Sequence, residues 1–172
     1  GEDTLSLHDA LPIYAHLTIA KLSDPVHERA LAYCPEQLSN IRYQQSDIAE
    51  SQGDLVASRR YAREAADLAE EFALERFFQL DTRLQEALAA QYLQESQEAE
   101  RIVTRVEKQL RDGFLSKPCE LAMQHNTLAW IKLVARQTGH SAADPEASFQ
   151  QAAASLQQCE ERSRHDEYGA IL

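Results

Sequence analysis

The sequence predicts an all-α protein built from antiparallel helical hairpins, and three observations carry that prediction. Apolar residues recur at steps of three and four over most of the 172 residues. Only 5 Gly and 5 Pro interrupt them, fewer than the many turns of a sandwich or barrel require. Those breakers also fall where helices should stop and start. Gly53, Gly113 and Gly139 follow apolar runs, and Pro25, Pro35, Pro118 and Pro145 precede them.

Taken in order, residues 14–22 read as a short helix stopped by Ser23-Asp24-Pro25. Asp24 as N-cap and Pro25 as first residue open a second short helix over 25–33. Pro35 begins a helix over 35–52, closed by Gly53. Asp54 opens the next, over 54–72, with Ser58, Ala62, Ala65, Ala69 and Phe72 on one face. Arg59, Arg60, Arg63, Glu64 and Glu71 are expected in solvent. After a break at 72–74 a long helix runs to 95 with Phe77, Leu80, Leu84, Leu88 and Tyr92 in register. Ser96 is the expected N-cap of the most regular amphipathic helix, whose Ala99, Ile102, Val103, Val106 and Leu110 face inward. Arg111 lies in its last turn, where the helix dipole favours a cation, and Gly113 ends it. Pro118 starts a helix to 138; its second half, 127–135, is apolar nearly all round and should be buried between neighbours. Asp144-Pro145 opens the last helix, to about 163, with Phe149, Ala152, Ala153, Leu156 and Cys159 inward.

The formal net charge is −11, from 28 Asp+Glu against 17 Lys+Arg. An acidic balance argues against a nucleic-acid partner, which asks for a basic face. No apolar run approaches the roughly 20 residues of a membrane-spanning helix. Cys34, Cys119 and Cys159 are odd in number, far apart and outside any metal spacing. Each is therefore expected to be a small buried hydrophobe, in the reducing cytoplasm.

The first 13 residues stand apart. The run from Thr4 to Ile13 resembles a translated sequencing-library adapter, so 1–13 is expected to be a non-native segment and 14–172 the repeat domain. Setting aside Glu2, Asp3 and Asp9 lowers the net charge to −8. The abrupt start, and a close on Asp166 to Leu172 that reads as the first turns of another helix, lead us to expect a fragment of a longer protein.

Catalytic chemistry finds little footing. The glycines are too scattered for a phosphate-cradling loop, and HExxH and Cys/His metal spacings are absent. Cys119 and His125, six apart, do not share a helix face well. His125 sits on an apolar face, either as a hydrogen-bonded core or groove histidine or as a pH-sensitive contact. Arg164-His165-Asp166-Glu167 reads as a solvated turn between helices. Arg59, Arg60 and Arg63 form a basic cluster, either a salt-bridged solvated face or a contact for an acidic peptide. No enzyme, cofactor or metal is expected, and a small-molecule ligand is not favoured.

The predicted helices pair as hairpins, 35–52 with 54–72, 74–95 with 96–112, and 118–138 with 145–163. Aligning the second helices at Ser58, Ala99 and Phe149 reproduces one set of inward offsets, a degenerate repeat. Gly53-Asp54-Leu55 matches the interhelical turn of a tetratricopeptide (TPR) unit. Ser58, Ala62 and Ala65 fall on its small second-helix positions, and Leu128-Ala129 on the Leu-small pair of its first helix. The chain thus resembles TPR repeats over most of 14–172. Its units are longer than the family's 34 residues, so the expected architecture is a TPR-like α-solenoid of about three hairpins plus partial flanking helices.

The resemblance implies a protein–protein interaction or scaffold module, part of a larger protein, whose groove of first helices binds a peptide or partner domain. It places Asn126 and Trp130 near groove positions. Trp130, the single tryptophan, either packs between hairpins or anchors a partner. The segment from Asn126 to Trp130, with the loop at 139–144, is also similar to repeat arrays of large bacterial signalling proteins. There the array precedes a caspase-like CHAT protease domain or accompanies a transcriptional regulator. The alternative expectation is thus a sensory or regulatory repeat region whose effector domain lies elsewhere.

Overall fold

The structure, a computed structural model, describes residues 34–139 and 144–169, with side chains as far as 161. The segment 1–13 and the expected helices at 14–22 and 25–33 lie outside the described residues. Six helices make up the described chain, which contains no strand: α1 (Pro35–Ser51), α2 (Leu55–Glu71), α3 (Arg76–Tyr92), α4 (Ser96–Arg111), α5 (Pro118–Gln137) and α6 (Pro145–Gly169). The all-helical class and the pairing of consecutive helices are as expected. α1 packs on α2, α3 on α4 and α5 on α6; α2 also packs on α3 and α3 on α5, while α4 meets α5 only sparsely.

Local chemistry explains the boundaries. α1, α5 and α6 open on proline, which has no N–H to lose in a first turn. The Asp54 carboxylate accepts the Ala57 N–H at 3.0 Å at the start of α2, and Asp144 accepts that of Glu146 at 3.0 Å at the start of α6. α1 ends in a paired closure, with Gly53 N–H on the Glu50 carbonyl and Asp54 N–H on that of Ala49, both at 2.9 Å. That closure needs a left-handed residue, and Gly53 supplies it at φ +78°. The same bonds close α2 and α3, but there Ala73 at φ +48° and Gln94 at φ +63° take the left-handed position.

The first hairpin packs through small residues. Ala62, Ala65, Ala66 and Ala69 of α2 are fully buried, and Ala49 of α1 nearly so. Two serines of α1 are sealed into the seam: Ser39 Oγ donates to the Ala65 carbonyl at 2.7 Å, and Ser46 Oγ to that of Ser58 at 3.0 Å. Beyond it the core is larger and aliphatic. Leu80, Leu84 and Leu88 of α3, Ile102, Val106 and Leu110 of α4, and Leu128, Ile131 and Val134 of α5 form one cluster.

Several expectations need correction. Phe72, the C-cap of α2, and Leu156 of α6, both expected inward, are instead 48% and 51% exposed. Ser96 does not cap α4: Glu95 holds the N-cap position without a side-chain bond, and Ser96 Oγ is buried with no partner. Residues 164–167 are not a turn, since α6 continues through them to Gly169.

The cysteines also depart from expectation. Cys119 of α5 and Cys159 of α6 form a disulfide, with Cα atoms 5.0 Å apart, and Cys34 is free and exposed. None is a buried free thiol, because the antiparallel pairing of α5 and α6 brings 119 beside 159. Disulfides persist in oxidising surroundings, so the expectation of a cytoplasmic location loses its cysteine argument. Among the described residues no helix is long and apolar enough to cross a membrane.

Candidate functional site

Residues on α1, α3 and α5, the first helix of each hairpin, converge on one face. Tyr43, Asp47 and Glu50 follow at steps of four and three along α1, and Phe78, Asp81 and Gln85 at three and four along α3, so each set shares a stripe. The stripes meet. The Tyr43 and Phe78 rings lie 6.0 Å apart, tilted by 50°. Gln85 Nε2 crosses from α3 to donate to Asp47 Oδ1 at 3.0 Å and Glu50 Oε2 at 3.2 Å. The Tyr43 hydroxyl donates to Asp81, and Gln124 Nε2 of α5 reaches Asp81 Oδ1 at 3.4 Å.

Three carboxylates therefore share this strip, and among the described residues none of them is ion-paired to a Lys, Arg or His. The electrostatics register the crowding. Burial, then Glu50 and Asp81, push Asp47 up to about 6. Burial also raises Glu50, against the pull of the Gln85 amide. Burial and then the charges of Asp81 and Asp47 drive the Tyr43 phenol above its ordinary value.

The two residues singled out in the sequence lie on α5, on a side of that helix turned away from Gln124. Asn126 and Trp130 are both exposed, four residues apart, on one stripe with Met123. Met123 is 58% and Trp130 48% exposed, so Trp130 is not sealed between hairpins. Gln124, which the sequence reading did not single out, is turned about 100° from Met123. It is fully buried against α3 with its Oε1 unpartnered. No local signal marks it, because its partner Asp81 lies 43 residues away.

His125 faces elsewhere, into a cleft of about 360 Å³ between α4, α5 and α6. Its Nδ1 is buried without a partner, so the hydrogen-bonded reading does not hold at that atom. Burial and nearby Lys132 lower its pKa, against the pull of Glu107. Lys132 is engaged by Glu107 at 2.6 Å and Ser148 Oγ at 2.9 Å.

Two members of the expected basic cluster, Arg59 and Arg63, are salt-bridged, and only partly in solvent. Arg59 is 7% exposed, with Nη1 2.9 Å from Glu86 Oε1. The helical wheel misplaced it because α3 presents a carboxylate to that side of α2. Arg63 Nε shares the same Glu86 oxygen at 3.1 Å. Arg83 pairs with Glu86, Asp67 and Glu70, and Arg105 with Glu70 at 3.0 Å. Arg59 also reaches Glu95 and Glu98. Burial works against the charge of Glu70, but Arg83 and then Arg105 outweigh it and hold its pKa low. Arg60, the third member of the expected cluster, is exposed and lies over the Tyr61 ring, 4.7 Å from its centroid, so it is Arg59 and Arg63 that are committed to acids.

Among the described residues no group of three His, Cys, Asp or Glu side chains is placed to hold a metal ion. Compared with known proteins, the chain matches no family model, no curated protein and no solved structure.

Proposed function

We propose that this chain is a protein–protein interaction module, a TPR-like α-solenoid within a larger protein. Its first helices bind a peptide or a partner domain, and it has no chemistry of its own. The observation that carries this reading is the meeting of α1, α3 and α5, three helices not consecutive in the chain, along one polar face. Stacked hairpins leave such a face between their first helices, where side chains from successive repeats read an extended segment. Asn126 and Trp130 then serve as contacts at its edge, Trp130 offering a large apolar anchor.

The test is a peptide-display selection on the purified chain, followed by titration of a selected peptide. Trp130, the single tryptophan, reports directly. Binding should shift its emission, and Trp130→Ala should weaken the complex about tenfold. Selection of no peptide above background, or binding indifferent to every substitution on this face, would rule the reading out.

A further inference from the structure

We propose that the strip formed by Asp47, Glu50 and Asp81 docks a cationic segment of the partner, one that presents lysine or arginine side chains. This rests on the interaction-module reading and adds the chemistry of what is bound.

The first support is an asymmetry in how α3 handles its charges. On its side toward α2 and α4, Glu86 is surrounded by Arg59, Arg63 and Arg83, each acid there having a cation. On its side toward α1, Asp81 meets Asp47 and Glu50, and among the described residues only neutral donors lie between them, namely the Tyr43 hydroxyl and the Gln85 amide. The strip satisfies its hydrogen bonds in part and leaves its charge unbalanced. Three neighbouring carboxylates repel one another across a partly desolvated surface, and a cation entering there relieves all three at once.

Gln124 supplies an independent pointer. Its side chain is fully buried, its Nε2 is turned onto Asp81, and its Oε1 has no donor. An acceptor left without a donor beside an unbalanced carboxylate marks a site short of N–H donors, and an ammonium or a guanidinium, with several donors and no acceptor, makes up that deficit at Asp81. The Tyr43 and Phe78 rings at the same seam add aromatic surface against which such a cation packs favourably. A metal ion fits less well, since these carboxylates do not converge as a ligand set.

The experiment titrates three fluorescent peptides of equal length into the full chain: lysine/arginine-rich, uncharged, and glutamate-rich. The basic peptide should bind at least about tenfold more tightly than the others, with affinity falling as salt rises. Asp47→Asn with Asp81→Asn should remove about tenfold of that affinity, whereas Glu146→Gln on exposed α6 should leave it unchanged. Calcium and magnesium are titrated separately. In parallel, the side-chain amide resonances of Gln85 and Gln124 should move on addition of the basic peptide, a readout that needs no variant to fold. Equal loss in the Glu146→Gln control, unmoved Gln85 and Gln124 signals, or saturable metal binding abolished by the Asp variants would each overturn the strip. Tight binding of the uncharged peptide alone would overturn it too, while leaving the interaction-module reading standing. Binding of no peptide at all would remove both.

Discussion

Arg59 of α2 reaches across the helix interface to Glu86 of α3, Nη1 to Oε1 at 2.9 Å, with side chains only 8% and 2% exposed. Breaking a buried pair from one side leaves an uncompensated charge, and here Glu86 also serves Arg63 and Arg83. Glu86→Ala should cost about 3 kcal/mol or more, read as a drop in the urea midpoint. A double-mutant cycle with Arg59→Met should give a coupling above about 1 kcal/mol. Additive losses would show that the pair is not coupled.

Two helix ends hold removable strain. Ala73 and Gln94 occupy left-handed backbone at φ +48° and +63°, a conformation that costs an L-residue roughly 1–2 kcal/mol. Ala73→Gly and Gln94→Gly should each raise stability by up to about 1 kcal/mol, while Gly53→Ala should lower it by a similar amount. Thermal melts of the three variants decide this. Stability unchanged or lowered on adding glycine at both sites would refute the assignment.

The acidic strip should leave a pH signature. Asp47 titrates near 6 when folded against an ordinary 3.8, so the folded state binds that proton more tightly. Its penalty is present above about pH 6 and fades as pH falls toward 3.8; Glu50 acts in the same direction. His125 opposes them: its lowered value means that the unfolded chain takes up a proton first below the ordinary 6.5. Comparing wild type with Asp47→Asn cancels the histidine. The variant should be the more stable near pH 7.5, and the difference should shrink steadily toward pH 4.5. Glu70 and Glu98, both lowered, matter only at more acid pH. A difference that is flat across this range would contradict the assignment.

Reduction should loosen the last hairpin. Cys119 and Cys159 are separated by 40 residues, for which chain entropy sets an upper bound of about 4 kcal/mol. Melting with and without reductant should show a clear drop, absent in Cys119→Ser, which starts reduced. Thiol titration of the unreduced protein should find one reactive group, Cys34.

What was legible in the sequence is what is local. Gly53, Gly113 and Gly139 marked helix ends because left-handed closure has a residue type that suits it. Ala73 and Gln94 make the same turn without that letter, so only a vague break at 72–74 could be read and Ser96 was given a cap it does not form. Arg59 was assigned to solvent because charge on a helical wheel normally goes there; its burial depends on Glu86, 27 residues on. The carboxylate strip was not visible. Asn126 and Trp130 were placed by the family resemblance, whereas Asp47, Asp81 and Gln124 gain meaning only when three helices meet. The disulfide belongs with these, since a spacing of 40 residues carries no pattern of its own.

That bridge also decides how the chain responds to tension. Pulled from its two ends, the polypeptide carries load through Cys119 and directly across to Cys159, bypassing the residues between them. The loop between them, a sequence separation of 40 worth roughly 140 Å of contour, cannot be drawn out until the bond is cut. α5 and the part of α6 up to Cys159 lie inside that loop, so end-to-end load does not act to pull them apart. The earlier hairpins have no such tether and would be the ones to extend.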